Sequence, residues 1–366
     1  FSTMMSSNTS LRYKLIEEDG TPYFLDSGTT LAEESVSLEA LKRPFDLQRD
    51  VLLRYVIDGN TIFIASHHII FDAISWSLFI EEFLLLTKNQ HPSEATQAQP
   101  ISNHTPSDDS TDYWVKKLSD TDRLVNIQKS DNSTGKRSVG VVSGKLQRSA
   151  TDELRLYARS SKISLNTIFM YAASILLYRL TEQDKMVIST PISTRELSDK
   201  EIHCDINVLP CPIAIDSDAL ISEGLLDFSN AMWRNIEKRN FSLLELTKTL
   251  GADGMDGLYN VMVEYSRKQT VPGIISDTLI NNKTPKMDIV VSAEDFNDDV
   301  TITIEYDKTK VGDIFADIIL SKIEKVLGYI VSDRGRRIFD IELNSPQEIK
   351  DLLLLGGGKE VKLLDV

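Results

Sequence analysis

Residues 51–57 and 61–66 form two apolar, β-branched runs separated by Asp58-Gly59-Asn60, which is the composition and spacing of a β-hairpin. The second run ends on Ser66-His67-His68, and the periodicity changes at once. Ile74, Leu78, Phe83 and Leu84 recur with Glu81, Glu82 and Lys88 between them, as on an amphipathic helix. A chain that hands a hairpin directly to a helix is of mixed α/β (α+β) class, and this one sets His67, His68 and Asp72 at the handover. Imidazole titrates near neutrality, so it can accept and return a proton at working pH. The carboxylate could hold a ring in one tautomer, or bond a cation elsewhere and fix the loop. A core histidine beside a helix-capping aspartate is the plainer reading of the same residues, since structural pairs perturb titration too.

The pattern is more specific than an isolated pair. His67-His68, three residues, Asp72, the small Ala73 and then Ser75-Trp76 resembles the HHxxxDG signature of nonribosomal peptide synthetase condensation domains. Other stretches match that family in order. Ser10-Leu11-Arg12 with residues 15–20 resembles the second half of its early RHExLRT motif, and Pro44-Phe45-Asp46-Leu47 its approach to the hairpin. Tyr113-Trp114 stands at the head of a helix the family also has. Residues 184–195 resemble its segment ending in Thr-Pro and an Arg, Ile206-Asn207-Val208-Leu209-Pro210 its Val-Asn-Thr-Leu-Pro stretch, and residues 259–263 a late strand.

The resemblance implies the two-lobed chloramphenicol acetyltransferase-like fold, each lobe a mixed sheet with flanking helices and the active site between lobes. Residues 1–110 are expected to form the N-terminal lobe and 111–366 the C-terminal lobe. The boundary falls in the stretch 89–112, whose Ser, Thr, Pro, Gln and Asp content is that of an exposed linker. His91 and His104 fall there as solvated loop residues. The strand and helix that open the family are expected to be missing, leaving the N-terminal lobe incomplete. Residues 11–16, 23–25, 138–146, 186–189, 206–215, 258–264, 286–291 and 300–307 read as strands. Residues 35–41, 228–239 and 313–332, and stretches headed by Thr151 and Ser164, read as helices.

The implied reaction is amide (peptide) bond formation between two thioesters carried on phosphopantetheine arms. The chain itself binds no cofactor and needs no metal, and its partners are upstream and downstream peptidyl carrier domains, with an adenylation domain adjacent. His68 is the residue implied to accept the acceptor amine's proton or hold that amine. His67 is expected to turn into the fold, Asp72 and Arg195 to be structural partners, and Ser75 and Trp76 to cap and pack the helix. Asn207 and Ala73 are placed by the resemblance along the substrate tunnel, although Asn207 reads equally as a strand-end residue.

Heterocyclising relatives carry Asp where His67 stands, and fungal macrocyclising relatives carry Ser there. Epimerising relatives carry Glu-Gly-His between the Arg loop and the Asn strand, where this chain has residues 196–205 without it. Two departures stand against the condensation pattern. Ala73 replaces a Gly, which costs about 1 to 2 kcal/mol if that position has positive φ. His203 and Asp205 replace a Gly and a Phe. They keep open a catalytically impaired scaffold that docks carrier domains, or a stand-alone acyltransferase with a soluble amine or alcohol acceptor.

Composition narrows the rest. A formal charge of −15 over 366 residues counts against a nucleic-acid partner, which needs clustered Lys and Arg. Cys204 and Cys211 are the only cysteines, too few for a disulfide framework or a tetrahedral Cys zinc site, and a reduced, cytoplasmic setting follows. No stretch of about 18 apolar residues suggests a membrane span. Gly356-Gly357-Gly358-Lys359 lacks the wider spacing and the Ser or Thr of a phosphate loop and reads as an outgoing linker.

Overall fold

The computed structural model describes residues 1–19, 21–28, 38–41, 43–88, 90, 107–127, 136–196, 199–267, 284–296 and 299–355. His91, His104 and residues 356–359 lie outside them.

The C-terminal lobe is built on a six-stranded sheet of order β5-β10-β9-β8-β6-β7. Its strands are β5 (Val139–Lys145), β6 (Lys185–Ser193), β7 (Ile206–Ala214), β8 (Val261–Arg267), β9 (Ile289–Phe296) and β10 (Asp299–Asp307). The sheet is mixed: β8 runs parallel to β6 and β9, and the other pairings are antiparallel. Inward residues alternate along β10, where Val300, Ile302, Ile304 and Tyr306 are buried, as period-2 geometry requires. Helices α5 (Arg148–Ser161), α6 (Leu165–Thr181), α7 (Ile221–Glu237) and α9 (Asp313–Ser332) pack around it.

The Ser164 side chain caps α6 by accepting from Thr167 N–H at 3.0 Å. This helix exceeds the apolar stripe expected of it, because every residue from 167 to 177 is buried. A helix apolar on all sides sits inside a core, and α6 lies against α9 and β8. Its buried Ile, Leu, Phe and Met side chains contribute roughly 1.5 to 3 kcal/mol each, and the larger core cluster lies in this lobe. Among the described residues no single helix is long and apolar enough to cross a membrane.

The N-terminal lobe has a smaller core of Met4, Met5, Leu11, Leu52, Leu53, Ile70, Phe71 and Phe79, joined by Ile202 from the far side of the chain. Two expectations are corrected here. The chain does not open directly on a strand, since α1 (Ser2–Ser7) precedes β1 (Tyr13–Glu18) and β2 (Thr21–Asp26). Glu82, expected on a polar helix face, is buried and accepts from Ser7 Oγ and Asn8 Nδ2, each at 2.9 Å, which ties α1 down. Among the described residues the strands of this lobe lie in two hairpins. β1–β2 and the pair β3 (Leu53–Asp58) and β4 (Thr61–Ser66) are separate antiparallel hairpins. Leu15 N–H donates to Leu47 O at 2.8 Å, so irregular chain occupies an edge of β1 that a ladder would need. The short helix α2 (Leu38–Leu41) and the second lobe's α4 (Asp108–Leu118), α8 (Leu243–Thr249) and α10 (Pro346–Leu355) complete the elements used here.

Candidate active site

The β3–β4 hairpin closes at Gly59, whose φ of +57° suits a residue without Cβ. Beyond β4 the backbone folds into a tight turn: Ile70 N–H donates to His67 O at 3.2 Å and Phe71 N–H to His68 O at 3.3 Å. Ile70 and Phe71 anchor the turn in the N-terminal core. Held between these anchors and β4, the turn leaves His68 exposed. His67 faces the other way, half-buried edge-on against Phe45. Its Nδ1 accepts from Ile69 N–H at 3.1 Å, a role only the neutral ring can fill. Burial, then the neighbouring His68, holds the His67 pKa below the usual histidine value.

Asp72 begins α3 (Ala73–Thr87) as its N-cap, accepting from Ser75 N–H at 2.7 Å. Its second oxygen accepts from Arg195 Nη2 and from Asp205 N–H, both at 3.1 Å. Capping and ion pairing therefore fall on one carboxylate. Burial pushes the Asp72 pKa up, but the Ser75 and Asp205 N–H donors and the Arg195 guanidinium outweigh it and hold the carboxyl below the usual range. Arg195 lies on the loop 194–205 between β6 and β7, and it and Asp72 are 3% and 2% exposed in their side chains. The guanidinium also donates to the Glu201 and His203 carbonyls at 2.6 Å each.

Ser75 differs from its expected part. Its N–H is capped, but its hydroxyl spans the lobes, accepting from His203 N–H at 3.1 Å and from Arg195 Nη2 at 3.2 Å and donating to His203 O. Ser10 Oγ donates to Ile202 O, and Ile202 enters the N-terminal core. Trp76 packs on Phe71 and Phe79. Asn207 spends its amide elsewhere: Nδ2 donates to Arg239 and Phe241 carbonyls at 2.9 and 3.0 Å, tying β7 to the connection between α7 and α8. Ala73 opens α3 and is absent from the positive-φ residues, so the strain conditional on a left-handed glycine does not arise.

Three features escape a reading of the sequence. Cys204 Sγ lies 3.9 Å from His68 Nδ1, and burial, then Asp72, pushes its thiol pKa up to about 11. Glu264, on the β8 face opposite inward-facing Val261 and Val263, has its pKa raised by burial, with Lys286 and His68 opposing. Asp199, His203 and Asp205 bring one ligand-type atom each within 4.8 Å of one another. The signal for the last was the spacing of two aspartates around one histidine, which is weak without the fold.

A family profile described as "Condensation domain" matches residues 21–353. Tyrocidine synthase 3 of Brevibacillus parabrevis is 21% identical over 373 residues, covering 92% of this chain and 6% of that protein. Bacitracin synthase 3 of Bacillus licheniformis is 20% identical over 372 residues, covering 90% of this chain and 6% of that protein. The chain thus spans less than a tenth of the length of the curated relatives it matches. Among solved structures, holo-AB3403, a four-domain nonribosomal peptide synthetase bound to AMP and glycine, superposes with a TM-score of 0.73 at 14% identity, covering 95% of this chain and 31% of that one. At that identity the likeness bears on the fold.

Proposed function

Because this chain belongs to the condensation-domain family, we propose that it forms an amide bond between a carrier-bound acyl or peptidyl thioester and a carrier-bound amino acid. The acceptor nitrogen attacks the donor carbonyl carbon, the carbon–sulfur bond breaks, and the donor arm leaves as a thiolate. His68 takes the proton the amine loses and returns it to the departing sulfur. Its Nδ1 faces Cys204, which supports Nε2 as the nitrogen that meets the reactants. The observation that carries this reading is the contrast at one junction: His68 is exposed, while Asp72, Arg195 and His203 behind it are buried and bonded across the lobes.

A general base contributes typically about 10² to 10⁴ in rate, and alignment of two bound reactants roughly 7 to 11 kcal/mol. Asp72, Arg195 and Ser75 keep the turn and the 194–205 loop in register, so they are positioning residues, and His67 and Trp76 shape the turn and helix. Cys204 stays a neutral thiol at pH 7, since a pKa of about 11 leaves little thiolate to compete for the donor. Upstream and downstream carrier domains supply both substrates, an adenylation domain loads them, and the cysteines belong in the reducing cytoplasm.

Single-turnover assays with donor and acceptor loaded on carrier proteins test the reading. The intact chain is expected to give amide product, and His68→Ala at least about 100-fold less. Full activity in His68→Ala would overturn the assignment of the base. Product with soluble amines or alcohols would make the chain a stand-alone acyltransferase, and no product with any acceptor would leave it a docking scaffold.

A further inference from the structure

Strand β8 has two faces of opposite character. Val261 and Val263 turn into the core, while Met262 and Glu264 stand half-buried on the other face. The register places Glu264 beside Ser292 of β9, and Ser292 beside Thr303 of β10, and residues paired in this way share a face. Both neighbours are short, and Ser292 Oγ donates to Thr303 O at 3.3 Å, which spends that hydroxyl on the sheet itself. On the other side β8 meets β6 at one pair only, Met262 with Ser189. Beyond that pair Asn166, from the first turn of α6, stands between the strands, accepting from Tyr265 N–H at 2.9 Å and donating to Thr190 Oγ1 at 3.3 Å. The sheet therefore opens beside Glu264.

The carboxylate at this opening has no hydrogen bond or ion pair among the described residues. Four charged groups act on it through space: Lys286 ahead of β9 and His68 on the turn after β4 favour its ionised form, and Glu294 on β9 and Glu305 on β10 oppose it. His68 is the one that belongs to the N-terminal lobe, so Glu264 and the proposed base lie within reach of each other's charge across the junction of the lobes. A half-buried carboxylate without a bonded cation is costly to keep, and burial holds its pKa above the usual value. What the opening lacks is a cation.

Amide formation brings one. An α-amino group titrates at about 7.7 to 8.0, so the acceptor arrives largely as an ammonium, which has no lone pair with which to attack. We propose that Glu264 receives the acceptor's ammonium and takes its first proton, leaving the second to His68. This rests on the condensation reading and completes its proton count. The ammonium gives one proton to the carboxylate, the free amine attacks the donor carbonyl carbon, the carbon–sulfur bond breaks, and the second proton passes through His68 to the sulfur. The products are an amide, a thiol and one proton, which the neutral Glu264 carboxyl releases to water. Burial helps the first transfer, because a carboxyl with a raised pKa lies closer to the ammonium it must deprotonate.

The test is single-turnover amide formation on carrier-bound substrates by the intact chain and by Glu264→Gln, from pH 6 to pH 9. About 1 to 2% of such amines are free at pH 6 and about nine-tenths or more at pH 9. A variant that must wait for free amine should be roughly 50-fold slower than the intact chain at pH 6 and within about 2-fold of it at pH 9. Taking the ratio at each pH cancels any titration the two proteins share, and a residue that only shaped the sheet would lower the rate by one factor throughout. Glu264→Ala is the second arm: sodium formate, a carboxylate small enough to enter the space left, should raise its pH 6 rate at least about 10-fold and leave the intact chain unchanged. Neither variant removes a bond the described fold uses, so both should fold. A ratio that stays flat with pH, or no rescue by formate, overturns the proposal and leaves amide formation standing. An intact chain that makes no amide overturns the condensation reading and the proposal with it.

Discussion

The turn 67–72 and the loop 194–205 meet at Asp72 with different bonding. The turn closes through neighbours: His67 O and Nδ1 receive N–H groups two and three residues away, and Ile70 and Phe71 fasten it to the core beneath. The loop is held by residues far along the chain, with Arg195 bonded to Asp72 and Ser75, and His203 to Ser75. A locally closed turn can leave one side chain in the open without cost to the fold. Buried, bonded groups such as Arg195 and His203 in the loop cannot be lost cheaply.

The largest effect should come from Arg195→Ala. Removing one partner of a buried ion pair costs about 3 to 5 kcal/mol, because the other charge stays behind unpaired. Here the Glu201 and His203 carbonyls lose a donor as well. Urea unfolding measures it, and Lys145→Ala is the control, since Lys145 and Asp299 are mostly exposed and solvent-screened pairs contribute little to stability. Equal losses in the two variants would erase the contrast between loop and surface.

The same contrast explains what could be read before the fold was seen. Asp58-Gly59-Asn60 announced the hairpin because the turn's requirement is local, and α9 spans residues 313–332 as its periodicity indicates. His67, His68 and Asp72 were legible as a group for the same reason. Helix α7 begins at Ile221, ahead of the expected 228, because Leu220 bridges Arg337 and Ile221 N–H donates to Arg336 O at 2.9 Å. That start depends on a strap more than a hundred residues away. Ser75 bridging, Ser10 on Ile202 and the Asp199, His203 and Asp205 group share this character, and no local pattern encodes them. Resemblance reached Arg195 where periodicity could not.

A second prediction uses pH. The His67 pKa is held low, so its folded state prefers the neutral ring. Stability from this group is full above the ordinary histidine pKa of about 6.5 and is lost as pH falls through the lower folded value. Protonation also turns the Nδ1 acceptor of Ile69 N–H into a donor. Unfolding at pH 7.5 and 5.5 should therefore show acidification costing the intact chain roughly 0.5 to 1.5 kcal/mol more than His67→Gln, the worth of one hydrogen bond. Identical pH slopes would mean the turn is not closed through this ring.

Ala73→Gly is expected to be smaller and of the sign opposite to what the family's glycine implies. Ala73 begins a helix without positive φ, so glycine relieves nothing and loses more chain entropy, about 0.5 to 1 kcal/mol in a helix interior and less at its start. A fall in melting temperature fits this, and a rise would place the position in left-handed backbone.

The smallest effect on folding belongs to the residue assigned the largest effect on chemistry. His68 is exposed, its Nδ1 lies 3.9 Å from Cys204 Sγ, and a truncation at such a position usually moves stability by no more than about 0.5 kcal/mol. His68→Ala should then unfold within that margin of the intact chain while product formation falls. The two measurements have to be made on the same preparation, because a ring that braced the turn would lower both together. A loss approaching that of Arg195→Ala would mean that turn and loop form one bonded unit, and the ring's exposure would no longer argue for a group kept free to handle a proton.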